Sequence, residues 1–472
     1  MVINQDDFRS FIGWPQFKAG ESDPKWVASQ ISMLVSFYPL GCAVTAPFAG
    51  WIADRFGRWK TMFGGVVVFL VGAIMTTAAQ EWNVLIAGRF LTGFAIGILS
   101  CVVPLFMSEI APVHMRGSLI TTQQIAITFG AMLSSIWCII VQKTVGTPQG
   151  GWAWRLEFAM QCLLVSGMGL GLIIMPESPR WLVNNGHVDK ARALLKKLRG
   201  SKGEEATNKE MEEIEEEARE HKEANDGSFV ELFGSKVIFA TIIACFIPLG
   251  QQMTGVNNYM TMSDTIYSNM GLDGDMMTLG LNIFGHLAVY PALFTIERIG
   301  RKVPLLVSSG AIAAIMAMMA IIGWTTDPIS NKAAAYSIVV LSWINFAVFQ
   351  NAWGPYGWAI PAEVFPLRVR GKGVGVATFF NWFGNFAVTM GAPYALNSAM
   401  GNDGFNMFFA CMMIFIASPC LIFLLPETKN VPLEEMEAKF DKPLGEYMRS
   451  NATELIRRKP AQHDDAPEGA QV

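Results

Sequence analysis

Long apolar runs alternate with short polar turns along almost the whole chain, and the length of the runs sets the architecture. Crossing about 30 Å of hydrocarbon takes roughly 20 helical residues. Runs of that order fall near 27–53, 61–79, 84–107, 118–141, 155–175, 236–258, 276–296, 303–323, 334–360, 372–395 and 405–425. The pattern predicts an all-α membrane protein with eleven spans in two bundles, 27–176 and 236–426. Every second turn is basic: Arg55, Arg58 and Lys60; His114 and Arg116; the segment 177–235; Arg298, Arg301 and Lys302; Arg368, Arg370 and Lys372. Because Lys and Arg close to a span fix its orientation, these turns are assigned to the cytoplasm. The base-poor turns at 80–83, 142–153, 269–275, 325–332 and 397–403 are then external.

Outside the spans the chain is polar. Residues 1–26 read as an extracellular amino-terminal tail without the charged-then-apolar layout of a signal peptide. An odd number of spans with an exported start is accounted for most simply by a preceding helix that this chain lacks. In 177–235 the apolar residues recur at helical spacing within charged sequence, which predicts short amphipathic helices on the cytoplasmic face. A solvated acidic linker and a regulatory role both remain open for them. In the cytoplasmic tail, 427–472, one further surface helix is expected over 426–440. Disorder is expected from Asp441 onward. The sequon Asn451-Ala452-Thr453 lies on the cytoplasmic side and is expected to stay unmodified.

Composition agrees with the pattern: 52% of residues are apolar and only 16% charged, against about 25% charged in soluble domains. The net charge of -4 comes with no basic face, which excludes a nucleic-acid partner. Cys42, Cys101, Cys138, Cys162, Cys245, Cys411 and Cys420 all lie in apolar runs with no CxxC pair, so they read as packing residues. No phosphate-cradling loop or metal-ligand cluster is present; no cofactor is expected, and neither a nucleotide-driven pump nor an enzyme is supported.

The charges at the cytoplasmic ends are patterned. Gly50 to Lys60, GWIADRFGRWK, is echoed by ERIGRK at Glu297 to Lys302, which suggests an internal repeat. Asp54, Glu109, Glu177, Glu297, Glu363 and Glu427 lie near Arg55, Arg58, Arg116, Arg180, Arg298, Arg301 or Arg370. Orientation alone needs no matched acids, so these pairs are expected to hold a cytoplasmic gate shut and to break when it opens. Arg58→Ala should then reduce uptake without loss of surface protein. Arg89 lies inside a span, where an unpaired Arg is costly, and is expected to meet an acid such as Glu109 or carbonyls near the cytoplasmic side.

Solute candidates are uncharged hydrogen-bonding groups at mid-span depth beside aromatic rings, since amides suit hydroxyls and rings suit C–H faces. They are Gln124, Gln251, Gln252, Asn257, Gln350, Trp358, Asn381, Trp382 and Asn385. Gly255, and Gly354-Pro355 with Gly357, are expected to loosen their helices. The alternative role of such groups is helix–helix adhesion, worth about 0.6 kcal/mol each.

The ordered set PESPRWL at 176–182, QQMTGVN at 251–257, ERIGR at 297–301 and PET at 426–428, with Asp54-Arg55 and Gly88-Arg89-Phe90 before them, resembles the sugar porter family of the major facilitator superfamily. The resemblance implies twelve helices in two pseudo-symmetric halves, a central solute site and alternating access. Departures bear on the substrate. Thr261-Met262 stands where sugar porters carry Tyr-Tyr, Gly285 where they carry Asn, and Gln350 where they often carry Glu. Asp264 and His286 are candidates for proton coupling, with an interhelical hydrogen bond as the alternative role of His286. The expected function is a plasma-membrane carrier of a sugar or similar polyhydroxy solute, with protons as a candidate co-substrate and the bilayer as surroundings. A sugar-acid, quinate-like acid or secondary-metabolite carrier, or a non-transporting sugar sensor or truncated pseudo-carrier, are the alternatives. No feature demands an oligomer.

Overall fold

The computed structural model describes residues 2–16, 24–111, 116–145, 152–199, 204–223, 228–234, 237–366, 369–428 and 444–457, and these are helical with no strand among them. A short helix, α1 (Asp6–Ile12), precedes the five long helices of the amino-terminal half. These are α2 (Lys25–Phe56), α3 (Arg58–Thr77), α4 (Trp82–Ile110), α5 (Arg116–Val145) and α6 (Trp152–Ile173). Three helices on the basic-loop face follow: α7 (Pro179–Asn184), α8 (Val188–Arg199) and α9 (Glu204–Glu223). The carboxyl-terminal half comprises α10 (Ile238–Met253), α11 (Val256–Asn269), α12 (Gly274–Ala288), α13 (Ala292–Arg298), α14 (Lys302–Thr325), α15 (Lys332–Asn351) and α16 (Trp353–Val364). It is completed by α17 (Arg370–Leu396), α18 (Gly401–Met412) and α19 (Ser418–Phe423), the last two joined by a π-helical turn at Met413–Ala417, and α20 (Leu444–Arg457) is the last described helix.

Among the described residues, ten helical stretches are long and apolar enough to cross a membrane. Several are broken within one crossing: α10 and α11 meet at Gly255, α12 and α13 at Val289–Pro291, and α15 and α16 at Ala352. The eleventh expected span is α17, long enough at 27 residues but diluted by Thr378, Asn381, Asn385 and Thr389. Its neighbours explain that composition, because α17 packs between α2 and α10 and buries Thr378, Asn381 and Thr389 there. Outward-facing positions are apolar, as Leu163, Leu170 and Ile173 of α6 and Val307 of α14 illustrate.

The ends differ from a tail-and-spans picture. The amino-terminal stretch packs: Phe8 is buried against Trp154 and Trp14 against Phe8 and Trp82, and the guanidinium of Arg9 bonds the carbonyls of Ile3 and Pro15 at 3.2 and 3.1 Å. At the other end α20 is ordered where disorder was expected. Its docking satisfies the last carbonyls of α19, which no helical N–H can reach. From α20, Asn451 Nδ2 donates to Phe423 O at 3.1 Å and Tyr447 Oη to Leu424 O at 2.7 Å, and Lys302 Nζ of α14 adds a bond to Ile422 O at 2.9 Å. The sequon amide is therefore 3% exposed and already committed. The surface helix expected over 426–440 lies mostly outside the described residues. Helices α7–α9 carry their own small core of Leu182, Leu195, Met211 and Ile214, and Arg199 Nη2 fastens them to Ile110 O at the end of α4 at 3.0 Å. All seven cysteines are free thiols.

Candidate functional site

Two constellations with the same design lie on the basic-loop face. In the amino-terminal half Gly57 ends α2 with φ 97°, and the chain re-enters a helix at Arg58. The guanidinium of Arg58 grips Glu109 of α4 at 2.6 Å and donates to Ala53 O at 3.3 Å. Glu177 caps the same helix start, accepting from the Arg58 N–H at 2.9 Å and the Trp59 N–H at 3.2 Å. In the other half Gly300 has φ 91°, and Arg301 grips Glu363 of α16 at 2.6 Å and donates to Ile296 O at 2.9 Å. Glu427 caps the start of α14 through the Arg301 N–H at 2.9 Å and the Lys302 N–H at 3.4 Å. A carboxylate at a helix N-terminus meets unpaired N–H groups and the positive end of the dipole. Glycine is required at both turns: a Cβ would stand 2.3 Å from Glu177 Oε2 at one and 2.6 Å from Glu427 Oε2 at the other.

The short buried pairs thus lie inside each half, where the gate expectation placed ties that open and close. Of the remaining charged candidates, Asp54 is 46% exposed on its side chain, bonds Arg58 at 3.0 Å and faces the start of α17, where Lys372 attracts it. Arg55 lies over the rings of Trp51 and Phe56 on its own helix. Arg370 Nε donates to Phe365 O at 3.4 Å, Arg180 is half-buried beside the Glu177 cap, and Arg298 is exposed. The side chains of Arg116 and Glu297 lie outside the described residues. Arg89 does not meet Glu109. Since α4 enters at Trp82 on the opposite face, Arg89 is two turns in from that face, over the ring of Tyr38 at 5.1 Å and near Leu34 O at 3.4 Å.

Between the halves lies a cavity of about 770 Å³, within the range of small-molecule sites. Of the solute candidates, Gln124, Gln251, Gln252, Asn257, Trp358, Asn381, Trp382 and Asn385 line it, with Asp264 further toward the outer face. Gln350 stands behind the wall, fully buried, its Oε1 accepting from Gln124 Nε2 at 2.9 Å. The amides are not equivalent. Gln251 Nε2 donates to Trp353 O at 2.7 Å and Gly354 O at 3.0 Å, and its Oε1 accepts from Asn381 at 2.6 Å, so it locks α10, α16 and α17 together. Among the described residues, the side chains of Gln252 and Asn257 bond only to each other, across the Gly255 break. Trp382 crosses between halves, donating to Ser100 Oγ at 2.9 Å with its ring edge-on to Tyr38.

His286 lies beside the cavity, not in its wall. Its Nδ1 faces Thr128 Oγ1 at 3.0 Å and its Nε2 the Tyr290 hydroxyl at 3.2 Å. Thr128 spends its hydroxyl hydrogen on Ile125 O at 2.9 Å, so it accepts from an Nδ1–H tautomer, and Tyr290 donates to Nε2. Asn282, which the sequence reading passed over, does line the cavity. It donates to Ser135 Oγ across the halves at 2.7 Å, one turn outward from Gly285. A polar amide one turn from the expected position was the available signal.

A family model described as Sugar (and other) transporter matches residues 2–440. A D-xylose transporter of Levilactobacillus brevis is 30% identical over 94% of this chain and 92% of its own length. The major myo-inositol transporter of Bacillus subtilis is 31% identical over 86% of this chain and 85% of its own. Among solved structures, a major facilitator superfamily proton:xylose symporter bound to 6-bromo-6-deoxy-D-glucose superposes with a TM-score of 0.79 at 22% identity, covering 92% of this chain and 94% of that one.

Proposed function

The chain belongs to the sugar (and other) transporter family, and on that premise we propose that it moves a monosaccharide or similar polyhydroxy solute by alternating access of the central cavity. It is a multi-pass membrane protein of the major facilitator fold. One observation carries the solute reading: a cavity at mid-span depth between two helical halves, walled by amides and two indole rings, with the Gln252 and Asn257 side chains holding each other. Neutral hydroxyls are the partners such groups can take up without leaving a charge buried. Hydroxyls of a bound sugar replace the Gln252–Asn257 bond, so the helix break at Gly255 senses occupancy. The plasma membrane is the expected site, with the base-rich turns on its cytoplasmic side.

The test is uptake of labelled D-glucose, D-xylose and myo-inositol by a transport-null host, with Gln252→Ala and Asn257→Ala compared at equal surface amount. Saturable uptake that both substitutions weaken supports the reading. Uptake unchanged by both removes it. Arg89 favours a second reading, an anionic sugar derivative: it lines the cavity, and among the described residues no carboxylate lies within ion-pair distance of it. Labelled D-gluconate belongs in the same panel, and preference for it over D-glucose would select that reading.

A further inference from the structure

Two consecutive residues, Asn4 and Gln5, each hold an acidic side chain, and the two acids belong to different halves. Asn4 Nδ2 donates to Asp264 Oδ2 at 3.2 Å and to Thr265 Oγ1 at 3.1 Å on α11. Gln5 Nε2 donates to Glu157 Oε1 on α6. Glu157 is 7% exposed and lies five residues past Trp152, about 8 Å along the helix from its start. Its other oxygen, Oε2, and the other atom of the amide, Gln5 Oε1, are both buried and both without a hydrogen-bond partner. One hydrogen bond joins the two groups and two acceptors are left idle. A carboxylate has no hydrogen to give, and buried acceptors in this number call for one. A single hydrogen on Oε2 gives that oxygen a bond to make and gives Gln5 Oε1 a donor to accept from.

Groups on four helices, α1, α5, α6 and α12, surround that carboxyl. The Cys138 thiol of α5 is a weak hydrogen-bond donor to it, and Asp275 at the start of α12 acts on it as a like charge. From α1, which packs on α6, come Asp6, Asp7 and Arg9, the last committed to the carbonyls of Ile3 and Pro15. Arg155, on the same helix, is turned onto the Trp154 ring at 4.2 Å and donates to Ala79 O at 2.9 Å. Among the described residues, no lysine or arginine side chain is bonded to Glu157. Cys138 also lines the central cavity, which places the carboxyl one side chain from its water.

We propose that Glu157 is a proton-binding site of the carrier, and that through the Asn4–Gln5 pair its occupancy ties the outer ends of the two halves together. The proposal rests on the transport reading above. A proton taken from cavity water converts the carboxylate to the acid, whose O–H donates to Gln5 Oε1; the same proton returns to cavity water when the acid ionises. With it bound, the segment around Gln5 is held to α6 by two hydrogen bonds and, through Asn4, to α11. Without it, the carboxylate draws water into the contact and the outer tie is released.

Glu157→Gln tests this, because its amide can donate to Gln5 Oε1 and so copies the proton-filled state. Infrared titration of the purified full chain should show a buried carboxylic-acid band that is lost in alkali and absent from Glu157→Gln. In proteoliposomes, entrance counterflow of labelled D-glucose or D-xylose should persist in the variant, while sugar-driven proton uptake and its pH dependence are lost. Asn4→Ala should keep the infrared band and lose the coupling of proton to sugar. An acid band unchanged by the substitution overturns the proposal, as does sugar-driven proton uptake that survives it or is absent from a wild type showing counterflow. Counterflow absent from the wild type refutes the transport reading instead, and the infrared result still decides the proton site.

Discussion

Removing Arg58 separates two roles that its sequence position leaves confounded. Its partner Glu109 is as buried as Arg58 itself, each side chain 8% exposed, and the pair is held at 2.6 Å. Arg58→Ala therefore leaves an uncompensated buried carboxylate, and breaking a buried pair from one side costs about 3–5 kcal/mol. The Asp54 contact adds little, since that side chain is 46% exposed and such pairs are worth about 0–1 kcal/mol. A loss of this size falls on the fold, so surface amount and thermal stability should drop together with uptake. Size-exclusion chromatography of the detergent-extracted protein after graded heating measures it. The expected result is aggregation at a temperature lower by several degrees. The double substitution Arg58→Met with Glu109→Leu should recover most of that, because exchanging a buried pair for apolar groups is often neutral or stabilising by about 1–4 kcal/mol. Arg301→Ala should behave in the same way through Glu363. Wild-type thermal stability in Arg58→Ala, with uptake alone reduced, would restore the gate and refute the placement of this pair inside a rigid half.

The other predictions concern the cavity wall, the helix starts and the carboxyl end. Gln251→Ala deletes three internal hydrogen bonds, each worth about 0.5–1.5 kcal/mol, and should lower thermal stability as well as uptake, whereas Gln252→Ala should raise the half-saturating sugar concentration with stability kept. Gly57→Ala and Gly300→Ala combine a positive φ, a cost of order 1–3 kcal/mol, with a clash against the capping glutamate; both should shorten survival on heating, and Gly64→Ala, which meets nothing within 4 Å, should not. Tyr447→Ala with Asn451→Ala uncovers the last carbonyls of α19, and protease treatment of inside-out vesicles should then cut within 444–457 faster than in the wild type.

What the sequence disclosed followed from how local the cause was. Span length is a local property, so the eleven runs were readable, α17 included, although its buried asparagines and threonines make it less apolar than the rest. The Gly255 break was signalled by its own residue; the Val289–Pro291 break was overlooked because Pro291 lies near the end of a run that reads as continuous. The two chain ends were read as tails because α1 and α20 are short and charged. Their order comes from distant partners, Trp154 for Phe8 and the α19 carbonyls for Asn451. The acids and bases were visible, but their assignment within a half was not, since Arg58 and Glu109 are joined through packing across 51 residues. The placement of Arg89 was recoverable: α4 enters from the outer face at Trp82, so a residue seven positions later belongs near that face.

The strengths of the contacts within and between halves decide how such a molecule can move. The described side-chain bonds across the halves are mostly neutral and single: Ser36 to Met390, Ser100 to Trp382, Gln124 to Gln350, Thr128 to His286 and Ser135 to Asn282. Interhelical hydrogen bonds of this kind average about 0.6 kcal/mol in membranes. Inside each half stand an Arg–Glu pair worth about 3–5 kcal/mol to break from one side, and a glutamate cap on the next helix. Parting one end of the seam breaks only a few weak bonds, whereas deforming a half breaks its buried charges. Two states separated by a few kcal/mol are therefore reachable by rocking along the seam and not by bending within a bundle. Cysteine pairs make the distinction measurable: cross-linking between Ser135→Cys and Asn282→Cys should change when the transported sugar is added, and cross-linking of a pair placed within α3 and α4 should not. Sugar-dependent change in the second pair would mean that the halves are not rigid, and the division between strong internal and weak seam contacts would lose its mechanical meaning.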